Sequence, residues 1–199
     1  WKLAELRCAI LLDIHGSALN DREVERLFSQ AENALERAKA IKLRSGVLIL
    51  RGQFEDAIDT AIKGLADLDV VISRKPSQTE VAEAYESTIR AIRKLSGDNV
   101  SQQETIDDES VTVAMDLLAT LQSSWFSNDS LKFLHVAKIV ELSARHGVAE
   151  ATCYGLAWSG VILASKYADY ETALLAAETG VALSYARSFT AYRTSALVA

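Results

Sequence analysis

Between Leu95 and Leu131 the chain has no Lys or Arg, yet this stretch carries Asp98, Glu104, Asp107, Asp108, Glu109 and Asp129. Phosphate contacts need cationic side chains. With a net charge of −6, the chain is a poor match for nucleic acid, and no better for an anionic membrane surface. Proline occurs once, at Pro76, and glycine nine times, so little interrupts regular structure. Runs of β-branched residues with period-two alternation are scarce, which argues against a sheet. The two cysteines, Cys8 and Cys153, lie far apart and form neither a disulfide framework nor a metal-ligand spacing. They are expected as buried thiols in a reducing, cytoplasmic compartment. The longest uncharged run, Ala151 to Ser165, is fifteen residues and includes Tyr154 and Trp158. That is short for a membrane span and reads as a buried helix. The start, Trp1-Lys2-Leu3-Ala4-Glu5, is already amphipathic and has no signal-peptide pattern. It lacks Met, and Ala196 to Ala199 reads as helix interior, so the chain is expected to be a fragment of a longer protein.

Catalytic motifs are missing as well. No Gly-rich phosphate loop, no Gly-Lys-Ser/Thr and no Gly-x-Ser-x-Gly occurs. None of the three histidines has metal-ligand spacing. His15 and His146 precede Gly16 and Gly147, where cations suit a helix C-terminus. His135 falls between Lys132 and Lys138, on a polar stripe completed by Glu141, and is expected to be solvated. Asp107-Asp108 reads as charge at a helix N-terminus rather than a metal site. Catalytic, cofactor-binding and metal-binding residues are all expected to be none, and the segment is expected not to be an enzyme. A stand-alone helical enzyme would need a convergent polar cluster, and none is visible.

What remains is helix. Hydrophobic residues make up 49% and straight-chain helix formers dominate. Apolar positions at 3.6 periodicity predict ten helices: 1–14, 21–34, 35–51, 54–68, 77–97, 108–123, 130–145, 149–165, 170–186 and one from Ser188. Ser77-Gln78-Thr79-Glu80 has capping-box spacing, so a helix with the face Val81, Tyr85, Ile89 and Ile92 starts there. Irregular breaks fall near 69–77, ending at Pro76, and near 97–108, an acidic segment expected as a mobile loop. The eighth helix is apolar nearly all round and must pack on more than one side.

The helices repeat weakly. Gly52-Gln53-Phe54-Glu55-Asp56-Ala57 matches the Gly-x-Tyr/Phe-x-x-Ala core of the tetratricopeptide pattern, and Asp169-Tyr170-Glu171-Thr172-Ala173 has the same spacing. In this reading the glycine turns the chain, the aromatic plugs the junction and the alanine lets the paired helices close. Gly64 and Gly180, each seven residues past the alanine, are expected to let the next hairpin pack. A degraded copy surrounds Val24. The expected fold is all-α: stacked antiparallel helix hairpins in a tetratricopeptide-like right-handed superhelix, one domain over 1–199. Lys42 falls on a groove-facing helix without the companions a peptide-carboxylate clamp needs. Trp125-Phe126 is either a core plug or an exposed docking point, while Tyr154, Trp158 and Tyr170 are expected in the core.

Several stretches together carry a family likeness. They are Phe54 to Leu68, Pro76-Ser77 with Glu80-Val81, Met115-Asp116-Leu117-Leu118-Ala119, Trp125-Phe126-Ser127-Asn128 through Val140 to Arg145-His146-Gly147, Tyr154-Gly155-Leu156, and Asp169-Tyr170. The chain resembles the helical segment of very large multidomain sensor histidine kinases of bacteria and fungi. There a kinase-like domain and an AAA/STAND-type NTPase precede a tetratricopeptide-like region, and a GAF domain and the histidine kinase follow. The resemblance implies a non-catalytic interaction and signal-transmission module in a phosphorelay, without cofactors. Its partners would be another protein or neighbouring domains of the same chain. A peptide- or protein-binding tetratricopeptide-type adaptor unrelated to kinases is the alternative.

Overall fold

Ser77 accepts a hydrogen bond from the Glu80 backbone N–H, and the Glu80 carboxylate accepts one from the Ser77 N–H. This reciprocal cap starts a helix where the sequence places one. The computed structural model describes residues 1–15, 21–97, 100–126 and 128–192, apart from the side chains of residues 13–15, 101 and 126. Among the described residues there are nine α-helices: α1 (Lys2–His15), α2 (Asp21–Gln30), α3 (Ala34–Leu50), α4 (Phe54–Ala66), α5 (Gln78–Leu95), α6 (Glu109–Thr120), α7 (Asp129–His146), α8 (Glu150–Tyr167) and α9 (Tyr170–Ala186). Short 3-10 turns lie at Val100–Gln102 and Leu121–Phe126. The described residues include no strand, only one isolated bridge between Thr105 and Val148.

Three helix pairs reverse over short turns. The chain leaves α3 through Gly52, whose φ of 72° is open to glycine at little cost. A Cβ on Gly64 of α4 would sit 2.6 Å from Ile41 Cγ2 of α3. One on Gly155 of α8 would sit 2.6 Å from Ile139 Cγ2 of α7. One on Gly180 of α9 would sit 3.4 Å from both the Cys153 carbonyl oxygen and Leu156 Cβ of α8. Each contact joins residues about equally far from the intervening turn, so the paired helices run antiparallel. Gly64 and Gly180 therefore close their own hairpins, and not the junction to the next hairpin as the repeat spacing predicts. The expected aromatic plug also fails in part. Tyr170 is 69% exposed and Phe54 sits at the margin of the surface; each is the first residue of its helix. Their alanine partners Ala57 and Ala173 are buried.

The middle of the chain departs from serial hairpins. Helix α5 packs on α7 and α9 rather than on its sequence neighbours α4 and α6. Helix α6 packs instead on α3, α4, α7 and α8. The core falls into three clusters. One is centred on α1, α2 and α3, one on α3, α4, α6, α7 and α8, and one on α5, α8 and α9. Helix α8 contributes to the last two, which accounts for its all-round apolar sequence.

Within the acidic segment near 97–108, the described residues 104–106 are tied to the turn after α7. Val148 N–H donates to the Glu104 carbonyl at 2.7 Å, and Ile106 N–H donates to the Val148 carbonyl at 3.1 Å. Gly147, at φ 108°, makes the approach possible: a Cβ there would stand 2.5 Å from the Glu104 carbonyl oxygen. The Arg187 guanidinium donates to the Gln103 carbonyl and ties the same segment to the end of α9. Within the predicted tenth helix, residues 188–192 are turns and irregular chain instead, with Ser188 at φ 56°. The remainder of that helix, 193–199, and the Gly16 stop signal lie outside the described residues.

Candidate functional site

A cleft of about 650 Å³ lies between α5, α7 and the irregular strap at 69–77. Its floor is Ile72, Ala84, Leu134 and Ala137, and its walls carry Glu80, Glu83 and Glu141 against Arg90 and Lys138. Small alanines facing each other on the two helices leave the room. The strap is held from both ends. Val70 N–H donates to the Leu65 carbonyl at 2.9 Å. The Arg74 carbonyl accepts from Asn128 Nδ2 at 3.0 Å, while the Arg74 side chain pairs with Glu55 and Asp59. Along it Ile72 turns in and Val71 turns out, 82% exposed. Inside the cleft Lys138 pairs with Glu141 at 3.1 Å, and Arg145 reaches the same carboxylate at 2.7 Å. Two Ser77 hydrogen bonds hold the Glu80 carboxyl below the ordinary glutamate range.

Behind the cleft lies a buried polar seam between α7 and α8. His135 is fully buried, contrary to its expected place on a solvated stripe. Its nearest polar neighbours along α7, Lys132 and Lys138, extend to Asp129 and Glu141 at the surface, whereas the short imidazole stays under α8. His135 Nδ1 lies 3.1 Å from the Leu131 carbonyl and Nε2 lies 3.1 Å from the Tyr154 hydroxyl. A carbonyl only accepts, so Nδ1 carries the proton and Nε2 accepts from Tyr154. Burial pushes the imidazole down to about 4 and pushes the Tyr154 phenol above its usual value. About two helical turns further along α7, the Ser143 and Thr152 hydroxyls meet at 2.8 Å.

A smaller pocket of about 250 Å³ is lined by Phe54, Trp125, Tyr154 and Trp158. Trp125 packs edge-on against Trp158 at 4.3 Å and receives Lys132 Nζ at 5.0 Å over its ring. It both plugs the core and edges this pocket; the Phe126 side chain lies outside the described residues. Lys42 is paired with Asp116 at 2.9 Å.

Asp108 caps α6, accepting from the Ser110 backbone N–H and hydroxyl, which hold its carboxyl below the usual range. Asp107 contributes no ligand cluster. Among the described residues no group of three or more His, Cys, Asp or Glu is placed to hold a metal ion. His146 ends α7 and is exposed; His15 ends α1, with its side chain outside the described residues. Cys8 and Cys153 are buried and not disulfide-bonded. Among the described residues no helix is long and apolar enough to cross a membrane.

The cleft was not read from the sequence, because its walls come from three separated segments. One signal was available: Val70-Val71-Ile72 is a run of β-branched residues shortly before Pro76 in a chain of helix formers. No protein-family model, no curated protein and no solved structure matches this chain.

Proposed function

We propose that this chain is a non-catalytic helical-repeat module that binds protein and transmits a signal. Its place would be within a multidomain sensor histidine kinase of a phosphorelay, in a cytoplasmic, reducing compartment. The observation that carries the reading is the α5–α7 cleft. An apolar floor of small side chains with charged walls of both signs suits an amphipathic helix or extended segment of a partner. The antiparallel pairs α3–α4 and α8–α9 support a tetratricopeptide-like arrangement, and the motif resemblance supports the kinase context. In this role the floor takes an apolar side chain, and Glu141, already shared by two cations, exchanges one of them for a partner's cation.

The test uses the isotope-labelled chain and the segments that flank it in the parent reading frame. Their addition shifts the amide resonances of Ile72, Ala84 and Ala137, and Ala84→Arg abolishes the shifts while leaving the helical circular dichroism intact. Shifts elsewhere only, or none, overturn the cleft assignment. Incubation of the same preparation with Mg-ATP leaves the nucleotide intact; turnover above the buffer blank overturns the non-catalytic reading.

A further inference from the structure

Helices α5 and α7 line the cleft side by side, and they run parallel. Asn128, the cap of α7, donates from Nδ2 to the Arg74 carbonyl just ahead of α5. In the last turns, Lys94 Nζ of α5 donates to the Ala144 carbonyl of α7 at 2.6 Å. Start lies by start and end by end, so the two helix dipoles point the same way. A third helix laid along them is favoured antiparallel, with its positive N-terminus beside the two negative C-termini.

The charges of the cleft select the same direction. On α5, Glu83 and Arg90 both line it and lie two turns, about 10 Å, apart on one face. The ion pairs of this region join Arg74 to Glu55 and Asp59, Lys132 to Asp129, and Lys138 and Arg145 to Glu141. Glu83 and Arg90 are exposed and take part in none of them. The N-terminal end of the lining is acidic: Glu83 stands with Glu80, whose carboxylate also caps α5, and the nearby exposed cation Lys75 is off the lining. At the C-terminal end Arg90 and Lys138 line the cleft, Arg145 reaches in, and Glu141 is the one acid among them. That surplus of cations survives an exchange at Glu141, which frees one cation for each it takes. Outside the lining, Arg93, Lys94 and His146 stand against Glu86 and Glu104 and do not reverse it.

We propose that the partner of this cleft is an amphipathic helix docked antiparallel to α5 and α7, with a carboxylate of its leading turn on Arg90 and a cation seven residues later on Glu83. The inference rests on the cleft being the binding site. Residues three and four after the acid lie over the floor of Ile72, Ala84, Leu134 and Ala137 and are apolar. The recognised pattern is therefore an acid, an apolar pair at i+3 and i+4, and a base at i+7. An acid early in a helix and a base late also suit that helix's own dipole.

The test uses the isotope-labelled chain and two blocked peptides of about sixteen residues and identical composition. One carries glutamate, paired leucines and lysine at this spacing on an alanine and glutamine background; the other has the glutamate and lysine exchanged. The first binds about tenfold more tightly, the sum of two exposed pairs turned from repulsion to attraction, and added salt narrows the gap. A nitroxide at its N-terminus broadens the amide signals of Arg90 and Glu141, and one at its C-terminus broadens those of Glu80 and Glu83. Glu83→Lys combined with Arg90→Glu inverts the preference between the peptides and leaves the helical circular dichroism unchanged, since both side chains are exposed. Three results overturn the polarity and leave the cleft as the site: equal affinities with amide shifts at Ile72 and Ala137, nitroxide broadening in the opposite sense, or an unchanged preference in the double variant. Shifts at the cleft from neither peptide overturn the polarity and the cleft reading together.

Discussion

Acidification should unfold this protein earlier than its carboxylates alone require, and His135 is the reason. The imidazole is fully buried, donates from Nδ1 to the Leu131 carbonyl and accepts at Nε2 from Tyr154. A second proton would fall on Nε2, where it would displace the Tyr154 hydrogen bond and leave a cation without water. Burial therefore lowers its pKa from 6.5 to about 4. In the unfolded chain the same ring takes its proton near 6.5. Between these values the unfolded state binds more protons, so stability rises with pH. The contribution is complete above pH 6.5, is lost as the pH falls towards 4, and changes no further below that. Each pH unit inside the window is worth about 1.4 kcal/mol, and the whole window about 3 kcal/mol, a large part of the stability of an ordinary domain.

The assay is urea unfolding followed by circular dichroism at half-unit steps from pH 7.5 to 4, for the wild type and His135→Gln. Glutamine keeps a polar neutral group beside Tyr154 and cannot titrate. At pH 7.5 the variant is the less stable, by about 1–3 kcal/mol for an imperfectly refilled core site. On acidification the gap closes and reverses by pH 4.5. The carboxyls held low by hydrogen bonds or lysines, Glu80, Asp108, Glu109 and Asp129, also destabilise the fold in acid. They lose their contribution only as the pH falls through the carboxylate range, and they act equally on both proteins, so the difference curve removes them. Parallel curves for the two proteins would refute the assignment of acid sensitivity to His135.

Two further outcomes follow from the backbone. Gly147→Ala forces a side chain onto φ 108° and onto the Glu104 carbonyl at 2.5 Å. It costs about 2 kcal/mol or more and speeds amide exchange at Ile106 and Val148, whereas unchanged exchange there contradicts the tie between residues 104–106 and the turn after α7. Ala168→Gly acts in the opposite direction, because Ala168 sits at φ 53° as the left-handed cap of α8. Relief of that conformation raises stability by about 0.5–1 kcal/mol against the entropy glycine adds to the unfolded chain, and a lower urea midpoint contradicts it.

Local chemistry made much of the helical outline legible. The Ser77–Glu80 box, Gly52 and the Asp108 cap each act within one turn, and each stands where its residues predict. Contacts over longer separations were not legible. The stripe containing His135 looks polar along α7, and only the position of α8 shows that it is covered. Gly64 and Gly180 mark close approach correctly, but spacing alone does not say which neighbour approaches. The Thr105–Val148 bridge joins two irregular segments on either side of α6 and α7, and no periodicity encodes it.

The candidate site arises where the chain departs from serial helix hairpins. Where Gly52 leads α3 directly into α4, three turn residues separate the helices and they close on each other. After α4 the chain instead runs irregularly through 69–77, with a turn at Asp69, a bend at 74–75 and Pro76 near its end. The strap, tied to α4 through Arg74, delays the next helix until Ser77 restarts it, and α5 then packs on α7 and α9. A serial repeat would have filled the groove beside α7 with its own next helix. Here the strap crosses one side of that groove, and the alanines at 84 and 137 leave its centre open. Regularity and the proposed site therefore compete for the same residues, and this chain has the site at the expense of regularity.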